Sequence, residues 1–112
     1  MKLGKRGENL AARLYKKEGY RVLCRNYSNR HGEIDVIAIK KGLLVFCEVK
    51  TRRNLKYGKP FEAITEEKQK RIRRLAEGFI ANKKIDFHSI RFDAVSILVG
   101  NKLEISHIKD AF

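Results

Sequence analysis

Two carboxylates and a lysine are the residues of this chain whose types and spacing most clearly suggest chemistry. Asp35 is followed, after twelve intervening residues, by Glu48, and Lys50 comes two residues later. Mg²⁺ prefers one or two protein carboxylates, keeps several waters and takes further ligands from substrate phosphates. A lysine beside such a pair can contact a phosphate or the attacking water. The pattern indicates metal-dependent chemistry on a phosphate ester, provided that the fold brings the two carboxylates together.

The chain between the carboxylates predicts an antiparallel hairpin that would do this. Two apolar-rich runs, 33–40 and 43–50, are separated by Lys41-Gly42, a short connection typical of a hairpin turn. A two-residue loop places Asp35 opposite Glu48, with Cβ atoms about 5 Å apart, on the face of Phe46 and with Ile34 on the other face. A three-residue loop would put the two acids on opposite faces.

Two carboxylates held this close oppose folding. At an effective dielectric constant of about 20, the repulsion between unit charges about 5 Å apart is roughly 3 kcal/mol, which is large beside a typical domain stability of about 5 to 15 kcal/mol. A divalent cation would relieve this repulsion most directly. The alternative is a surface hairpin whose acids pair with neighbouring lysines and arginines, and the charge pattern alone does not separate the two interpretations.

The elements around the hairpin predict an α+β domain. Apolar residues at helical spacing over 3–18 predict a helix that ends at Gly19 and carries Glu8 at the rim of its apolar stripe. A strand over 20–27 and a turn over 28–32 follow, and a second helix begins at Thr65 and extends to residue 82. Strands over 90–99 and 103–109 complete the order αβββαβ(β). We interpret Asp93, on the first of these strands, as structural and paired with Arg91 or a helix lysine.

Charge and composition restrict the partner. The chain carries 26 Lys and Arg against 13 Asp and Glu, a net charge of +13 on 112 residues, which indicates a polyanionic partner, with nucleic acid the first candidate. The longest apolar runs are about five residues, so we expect no membrane segment, and without a signal-peptide pattern we expect a cytoplasmic protein. Cys24 and Cys47 lack the spacing of a zinc site or a disulfide scaffold. The sequence does not fix the oligomeric state, and a homodimer is compatible with it.

Gly32-Glu33-Ile34-Asp35 followed by Glu48-Val49-Lys50 resembles the active-site signature of the PD-(D/E)XK nuclease superfamily. The chain resembles the YraN-type uncharacterised bacterial family over nearly its whole length, and that family is similar in turn to archaeal Holliday junction resolvases. We expect 1–112 to form a single domain. The resemblance implies a restriction-endonuclease-like fold, a central mixed sheet flanked by helices. Two departures are visible: Ile34 replaces the proline of the signature, and the Gln-x-x-x-Tyr element of some exonuclease branches is absent.

The resemblance also implies roles for individual residues. Asp35 and Glu48 would be ligands of Mg²⁺ or Mn²⁺, and the backbone carbonyl of Val49 would be a further ligand. Lys50 would orient or polarise the nucleophilic water, and Glu8 would be an outer or second-metal carboxylate. We interpret Glu33 as an exposed acid or a partner of Lys50, rather than as a ligand.

Basic residues on a loop and on the second helix would bind the nucleic-acid backbone without reading sequence. They are Arg52, Arg53, Lys56, Lys59, Lys70, Arg71, Arg73 and Arg74. The function that follows is a metal-dependent endonuclease on structured or branched nucleic acid, with DNA ahead of RNA. The competing hypothesis is a non-catalytic nucleic-acid or RNA-protein assembly module that retains the fold. Lys68 could approach a phosphate, although a solvated helix lysine is the commoner case.

Overall fold

Five strands form one mixed sheet with a helix packed on each face. The computed structural model describes residues 3–53 and 64–112. Its elements in chain order are α1 (Leu3–Lys17), β1 (Arg21–Asn29), β2 (Gly32–Lys40), β3 (Leu43–Arg52), α2 (Glu66–Asn82), β4 (Ser89–Val99) and β5 (Leu103–Ile108). The strands are arranged in sequence order; β3 and β4 are parallel and the other neighbours antiparallel. Helix α2 lies in the crossover that a parallel pair requires. The predicted α+β class and element order are confirmed.

Local signals set the helix ends. Gly19 adopts a left-handed backbone with φ 92°, and the amides of Gly19 and Tyr20 donate to the carbonyls of Lys16 and Tyr15 at 3.0 and 2.9 Å. This is the Schellman arrangement that glycine favours after a helix. At the start of α2, the Thr65 hydroxyl accepts from the Lys68 amide at 3.1 Å, as expected of an N-cap.

Alternation along the strands divides the core between the two faces. Residues on one face, including Val36, Val45 and Val95, pack with α1 around Ala11 and the fully buried Tyr15. On the other face, Ile37, Leu44 and Phe46 pack with α2 around Leu75 and Phe79. The two helices therefore pack on opposite faces of the sheet, each against the middle strands. Neither described helix is long and apolar enough to cross a membrane.

The predicted hairpin register is confirmed for the part of the hairpin next to the turn, but the ladder does not reach the predicted Asp35–Glu48 pair. Lys40 pairs with Leu43 and Val36 with Cys47, as a two-residue loop requires. The prediction for Ile34 was wrong: it packs in the same cluster as Ile37, on the α2 face. The ladder to β3 begins only at Val36, so β2 is free to bend just before this point and the strict alternation is lost.

Strand β3 is longer than the sequence predicted. It continues through Thr51 to Arg52, because both residues pair with β4, whereas the sequence placed them in a basic loop. Of the basic residues predicted there, Lys56 and Lys59 lie outside the described residues.

A close approach of α1 to β3 gives the first testable prediction. A Cβ on Gly7 would collide with Thr51 Oγ1 and lie 3.3 Å from Ile97 Cδ1, whereas a Cβ on Gly4 would meet no heavy atom within 4 Å. We expect Gly7→Ala to lower the free energy of unfolding by roughly 1 to 3 kcal/mol through overpacking. Gly4→Ala, on the same helix, should raise it by up to about 1 kcal/mol through helix propensity. Denaturant unfolding of both variants measures the difference, and an equal gain in both would show that α1 can move away from β3 freely.

Candidate functional site

The site begins where β2 and β3 separate. Their ladder ends at Val36 and Cys47, one pair before Asp35 and Glu48 would face each other. Beyond this point the Val49 amide donates to Asp35 Oδ2 at 2.7 Å. A side-chain oxygen thus takes the place of the missing strand partner. The hydrogen bond fixes the Asp35 carboxylate in the opening between the strands.

Two further carboxylates meet Asp35 there. Glu8 arrives from the first half of α1, next to the close contact at Gly7, and Glu33 lies two residues before Asp35 on β2. One oxygen from each of the three lies within 4.8 Å of the others; we call Glu8, Glu33 and Asp35 the acid cluster. In the described parts of the chain, no ion pair shorter than 4.0 Å engages any of them. The acid cluster therefore brings three carboxyl groups together with no basic side chain of the described residues paired to them.

Asn26 is a neutral group that bridges two members of the acid cluster. Its backbone is left-handed, with φ 53°, a conformation that asparagine tolerates better than most residues. The orientation assigned from the hydrogen-bond network turns its amide nitrogen toward the carboxylates. In that orientation it donates to Glu8 Oε1 at 2.8 Å and to Glu33 Oε1 at 3.0 Å. Asn26 therefore ties α1 to β2 through β1.

The electrostatics of the acid cluster are most visible at Asp35. Burial and the nearby Glu48 carboxylate raise the pKa of Asp35 to about 7, with smaller contributions from Glu8 and Glu33. The hydrogen bond from Val49 acts in the opposite direction but does not outweigh them. Without a cation, this carboxyl is held partly protonated near neutral pH, as expected of like charges sharing one site.

Glu48 has a different environment, formed by two lysines. Its Oε1 lies 2.9 Å from Lys68 Nζ and 3.4 Å from Lys50 Nζ, and its side chain is only 9% exposed. Burial lowers the pKa of Lys50, and the adjacent Lys68 lowers it further. Burial would also lower the pKa of Lys68, but its contacts with Lys50 and Glu48 outweigh that effect and raise it. Lys68 therefore keeps its proton more firmly than Lys50 does.

The structure separates the basic residues that the sequence grouped together. Lys70, Arg71 and Arg74 line an open pocket beside the β1–β2 turn. The guanidinium carbon of Arg73 instead lies 4.6 Å from the centre of the Phe92 ring. Arg53 is exposed just beyond β3, whereas Arg52 is half-buried within it.

Three residues of the site were not assigned to it from the sequence: Glu33, Lys68 and Asn26. Glu33 carried a usable signal, because period-two alternation from Asp35 already predicted that the two share a face. Lys68 carried a weaker signal, its position in the first turn of the helix that follows the Glu48 strand. For Asn26 the sequence carried no signal, since its hydrogen bonds to the acid cluster depend on a left-handed backbone and on carboxylates from other elements.

The oxygen chemistry of the site fits a hard divalent cation. Mg²⁺ and Mn²⁺ are bound by carboxylate and carbonyl oxygens, and the acid cluster offers three carboxylates to which no cation of the described residues is paired. Glu48 differs, since two lysines already partner it in the metal-free protein. The fit is thus better supported for Asp35 and Glu8 than for Glu48.

Comparison with known proteins identifies the family. The model of a family described as "Uncharacterised protein family UPF0102" matches residues 7–97. A UPF0102 protein of Rhodococcus opacus is 46% identical over 98% of this chain and 95% of its own length. One of Dictyoglomus turgidum is 47% identical over 92% of this chain and 87% of its own length, and one of Alkaliphilus metalliredigens is 41% identical over 98% and 96%. On these matches, the chain belongs to the UPF0102 family.

Proposed function

We propose that this protein binds nucleic acid, with DNA preferred to RNA, and hydrolyses internal phosphodiester bonds with Mg²⁺ or Mn²⁺. The observation that carries the proposal is the acid cluster, three carboxylates without an ion-pair partner in the described chain, beside the lysine pair of Glu48. Structural ion pairs bring opposite charges together, whereas this site concentrates like charges at a cost to folding. Such costs are typical of functional sites.

The fold supports the same proposal. A mixed sheet with one helix on each face, in the order αβββαββ, agrees with the restriction-endonuclease-like architecture implied by the PD-(D/E)XK resemblance. Asp35 and Glu48 lie on β2 and β3, the two strands of the hairpin that follows the helix bearing Glu8. The acid on the first helix is Glu8, which the acid cluster includes.

Several residues would hold the metal ion. We assign Asp35 and Glu8 as carboxylate ligands of the metal ion. Glu48 and the Val49 carbonyl would be the remaining protein ligands, and Glu33 would offer a further oxygen beside them. The ion, when bound, would lower the pKa of a coordinated water and neutralise charge on the phosphoryl oxygens. The chain's own contribution is to fix these oxygens, through the Val49 amide on Asp35 and the Asn26 amide on Glu8.

The two lysines would act on the substrate. Lys50 lies 3.4 Å from Glu48 and has the lowered pKa, so it is the lysine better suited to exchange a proton with the attacking water. Lys68 retains its charge and would bind a phosphate oxygen as a fixed cation. Its ion pair with Glu48 keeps it oriented toward the site until substrate arrives.

The charge of the chain supports backbone recognition. A domain with a net charge of +13 binds a polyanion largely through counterion release, which is independent of sequence. Recognition of structure, as in branched or flapped DNA, suits such a surface better than base readout. The described part of the proposed surface comprises Arg52, Arg53, Lys70, Arg71, Arg73 and Arg74.

A second candidate function is a non-catalytic nucleic-acid or RNA-protein assembly module. The observation that favours it is Glu48, whose charge two lysines neutralise without any metal. A module of this kind would keep the basic surface and the sheet but would not turn over substrate. The two functions differ in their response to a divalent cation and to loss of Lys50.

The test is cleavage of a panel of branched, flapped and single-stranded DNAs with and without Mg²⁺ or Mn²⁺. We expect cutting only with the cation, and Lys50→Ala should reduce it by at least about a hundredfold, the usual size of a lost proton-transfer group. Binding of the same DNAs should change little.

Lys17→Ala is the matched control, because Lys17 is exposed at the end of α1 and lies away from the site. If wild type and Lys50→Ala show the same trace activity, the cutting comes from a contaminant and the binding module replaces the nuclease.

A further inference from the structure

One open surface pocket in the described part of the chain concentrates positive charge. It lies between the β1–β2 turn and the first two turns of α2, and has a volume of about 370 Å³. Its lining residues are Arg30, His31, Glu67, Lys70, Arg71 and Arg74. We call it the basic pocket. Four of its six side chains are cations and one is an acid, so an anion entering it meets a net positive surface.

Within the described residues, no acidic side chain pairs with the cations of the basic pocket. Arg30 Nε donates to His31 Nε2 at 3.4 Å, and none of the four cations forms an ion pair within the described residues. Glu67 lines the pocket without approaching any of them within 4.0 Å. The exposed cations therefore create a local positive potential that favours the binding of an anion.

Arg71, which lines the basic pocket, packs close to the backbone just before Glu33 of the acid cluster. Its side chain lies over the backbone of Gly32, where a Cβ would be 3.3 Å from Arg71 Cδ, and Glu33 is the next residue. Lys68, which contacts Glu48, lies three residues before Arg71 on the same face of α2.

We propose that the basic pocket binds a backbone phosphate of the nucleic-acid strand, close along the strand to the phosphate at the acid cluster. The pocket would then determine where a strand lies across the site, in contrast to a general attraction spread over the basic surface. The proposal rests on the proposed function in taking nucleic acid as the ligand and in placing a neighbouring phosphate at the acid cluster. It assigns Arg30 and His31 to binding in addition to the helix residues.

The first test uses metal-free protein, with a chelator present, and two probes: inorganic phosphate and a single-stranded deoxyoligonucleotide. Arg71→Ala should lower oligonucleotide affinity by about tenfold or more, the usual cost of a charged hydrogen bond. It should also reduce the slope of log affinity against log salt by about one. In amide NMR spectra, phosphate should shift the signals of residues 30–32 and 70–74 before others.

Arg13→Ala is the control for Arg71→Ala, because it removes the same charge from an exposed position on α1, at the other face of the sheet. Equal losses of affinity in the two variants would show that net charge alone matters and would overturn the proposal. Thermal unfolding of each variant verifies that both are folded.

A change of opposite sign gives the second test. Glu67→Gln removes the acid that lines the pocket and should raise the affinity for inorganic phosphate, whereas Glu77→Gln, an equal charge change on an exposed position of the same helix, should not. Identical effects of the two would contradict a defined pocket. Because neither test needs metal or cleavage, an inactive protein that still binds through Arg71 would refute the nuclease and leave the pocket intact.

Discussion

Asp93→Asn should lower the free energy of unfolding at pH 7 by roughly 3 to 5 kcal/mol, the usual cost of breaking a buried ion pair by removing one partner. Asp93 is completely buried and accepts hydrogen bonds from four other residues. The Arg91 guanidinium donates to both carboxylate oxygens at 2.7 and 2.8 Å, and Tyr15, His107 and the Asp110 amide donate at 2.7, 2.8 and 3.1 Å.

These hydrogen bonds join distant parts of the chain. Tyr15 belongs to α1, Asp93 to β4 and His107 to the edge strand β5, and Arg91 extends further to the Tyr20 hydroxyl at 3.1 Å. An asparagine would leave the partly buried Arg91 without its counter-charge. It would also turn one acceptor into a donor that faces other donors.

The predicted loss depends on pH with a definite sign. Burial alone would raise the pKa of Asp93, but the hydrogen bonds from His107, Arg91 and Tyr15 outweigh it and hold the pKa well below its usual range. A depressed pKa stabilises the fold above the unfolded value of about 3.9 and loses that contribution as the pH falls further. The difference between wild type and variant should therefore be constant near neutrality and shrink below about pH 4.

Urea unfolding between pH 2 and pH 7 measures this difference. Asp86→Asn is the control, since Asp86 is exposed before β4 and its replacement should change stability by no more than about 0.5 kcal/mol. A loss that is equal for the two variants, or that does not shrink in acid, would contradict the role assigned to the buried hydrogen bonds.

Asp35→Asn should have the opposite effect on the metal-free protein, raising the free energy of unfolding at pH 8 by roughly 1 to 3 kcal/mol. An asparagine oxygen can still accept from the Val49 amide, and its NH₂ group can donate to the other carboxylates. The repulsion from Glu48, Glu8 and Glu33 that raises the pKa of Asp35 disappears with the charge.

The pH dependence again follows from the direction of the shift. With a folded pKa of about 7, above the unfolded value of about 3.9, wild type binds more protons when folded than when unfolded. Its stability therefore falls as the pH rises through the window from about 4 to 7. The advantage of Asp35→Asn should be small at pH 4 and complete at pH 8.

With a divalent cation bound, wild type should become more stable to unfolding than Asp35→Asn. A ligand that binds only the folded state stabilises it by about 2.7 kcal/mol at a hundred times its Kd, so wild type should gain stability with Mn²⁺ and Asp35→Asn should not. Titrations to millimolar Mn²⁺, with and without an uncleavable DNA, measure the gain. Two results together would refute the metal site and with it the nuclease proposal. Asp35→Asn would destabilise the metal-free protein, and Mn²⁺ would not change the stability of wild type even with DNA bound.

Features encoded within a few residues of chain were predictable from the sequence. The end of α1 at Gly19, the N-cap at Thr65 and the two-residue turn at Lys41-Gly42 each depend on residues at most five positions apart. The turn length then fixes the register of the hairpin, because a strand partner is determined by counting from the turn. The pairing of Asp93 with Arg91, two residues apart, was accessible for the same reason.

The composition of the site was also encoded in the sequence, but its arrangement was not. Spacing selected Asp35, Glu48 and Lys50, yet it predicted two carboxylates facing each other across a continuous ladder. The structure shows the ladder ending one pair earlier, with Asp35 bound to the Val49 amide. Where a strand pair opens depends on how each strand packs against its helix, and no local pattern carries that information.

The order of helices and strands, the two-residue turn and the candidate ligands were predictable from the sequence, whereas the extension of β3 to Arg52 and the end of the ladder before Asp35 were not. Tertiary packing sets which side chains meet at the opening: Glu8 with Glu33 and Asp35, and Lys68 with Glu48. The difference lies in how far apart along the chain the interacting residues are. Helix caps and turns are set by hydrogen bonds between near neighbours in the chain, whereas the meeting of α1 and α2 side chains at one sheet opening is set by packing across both cores.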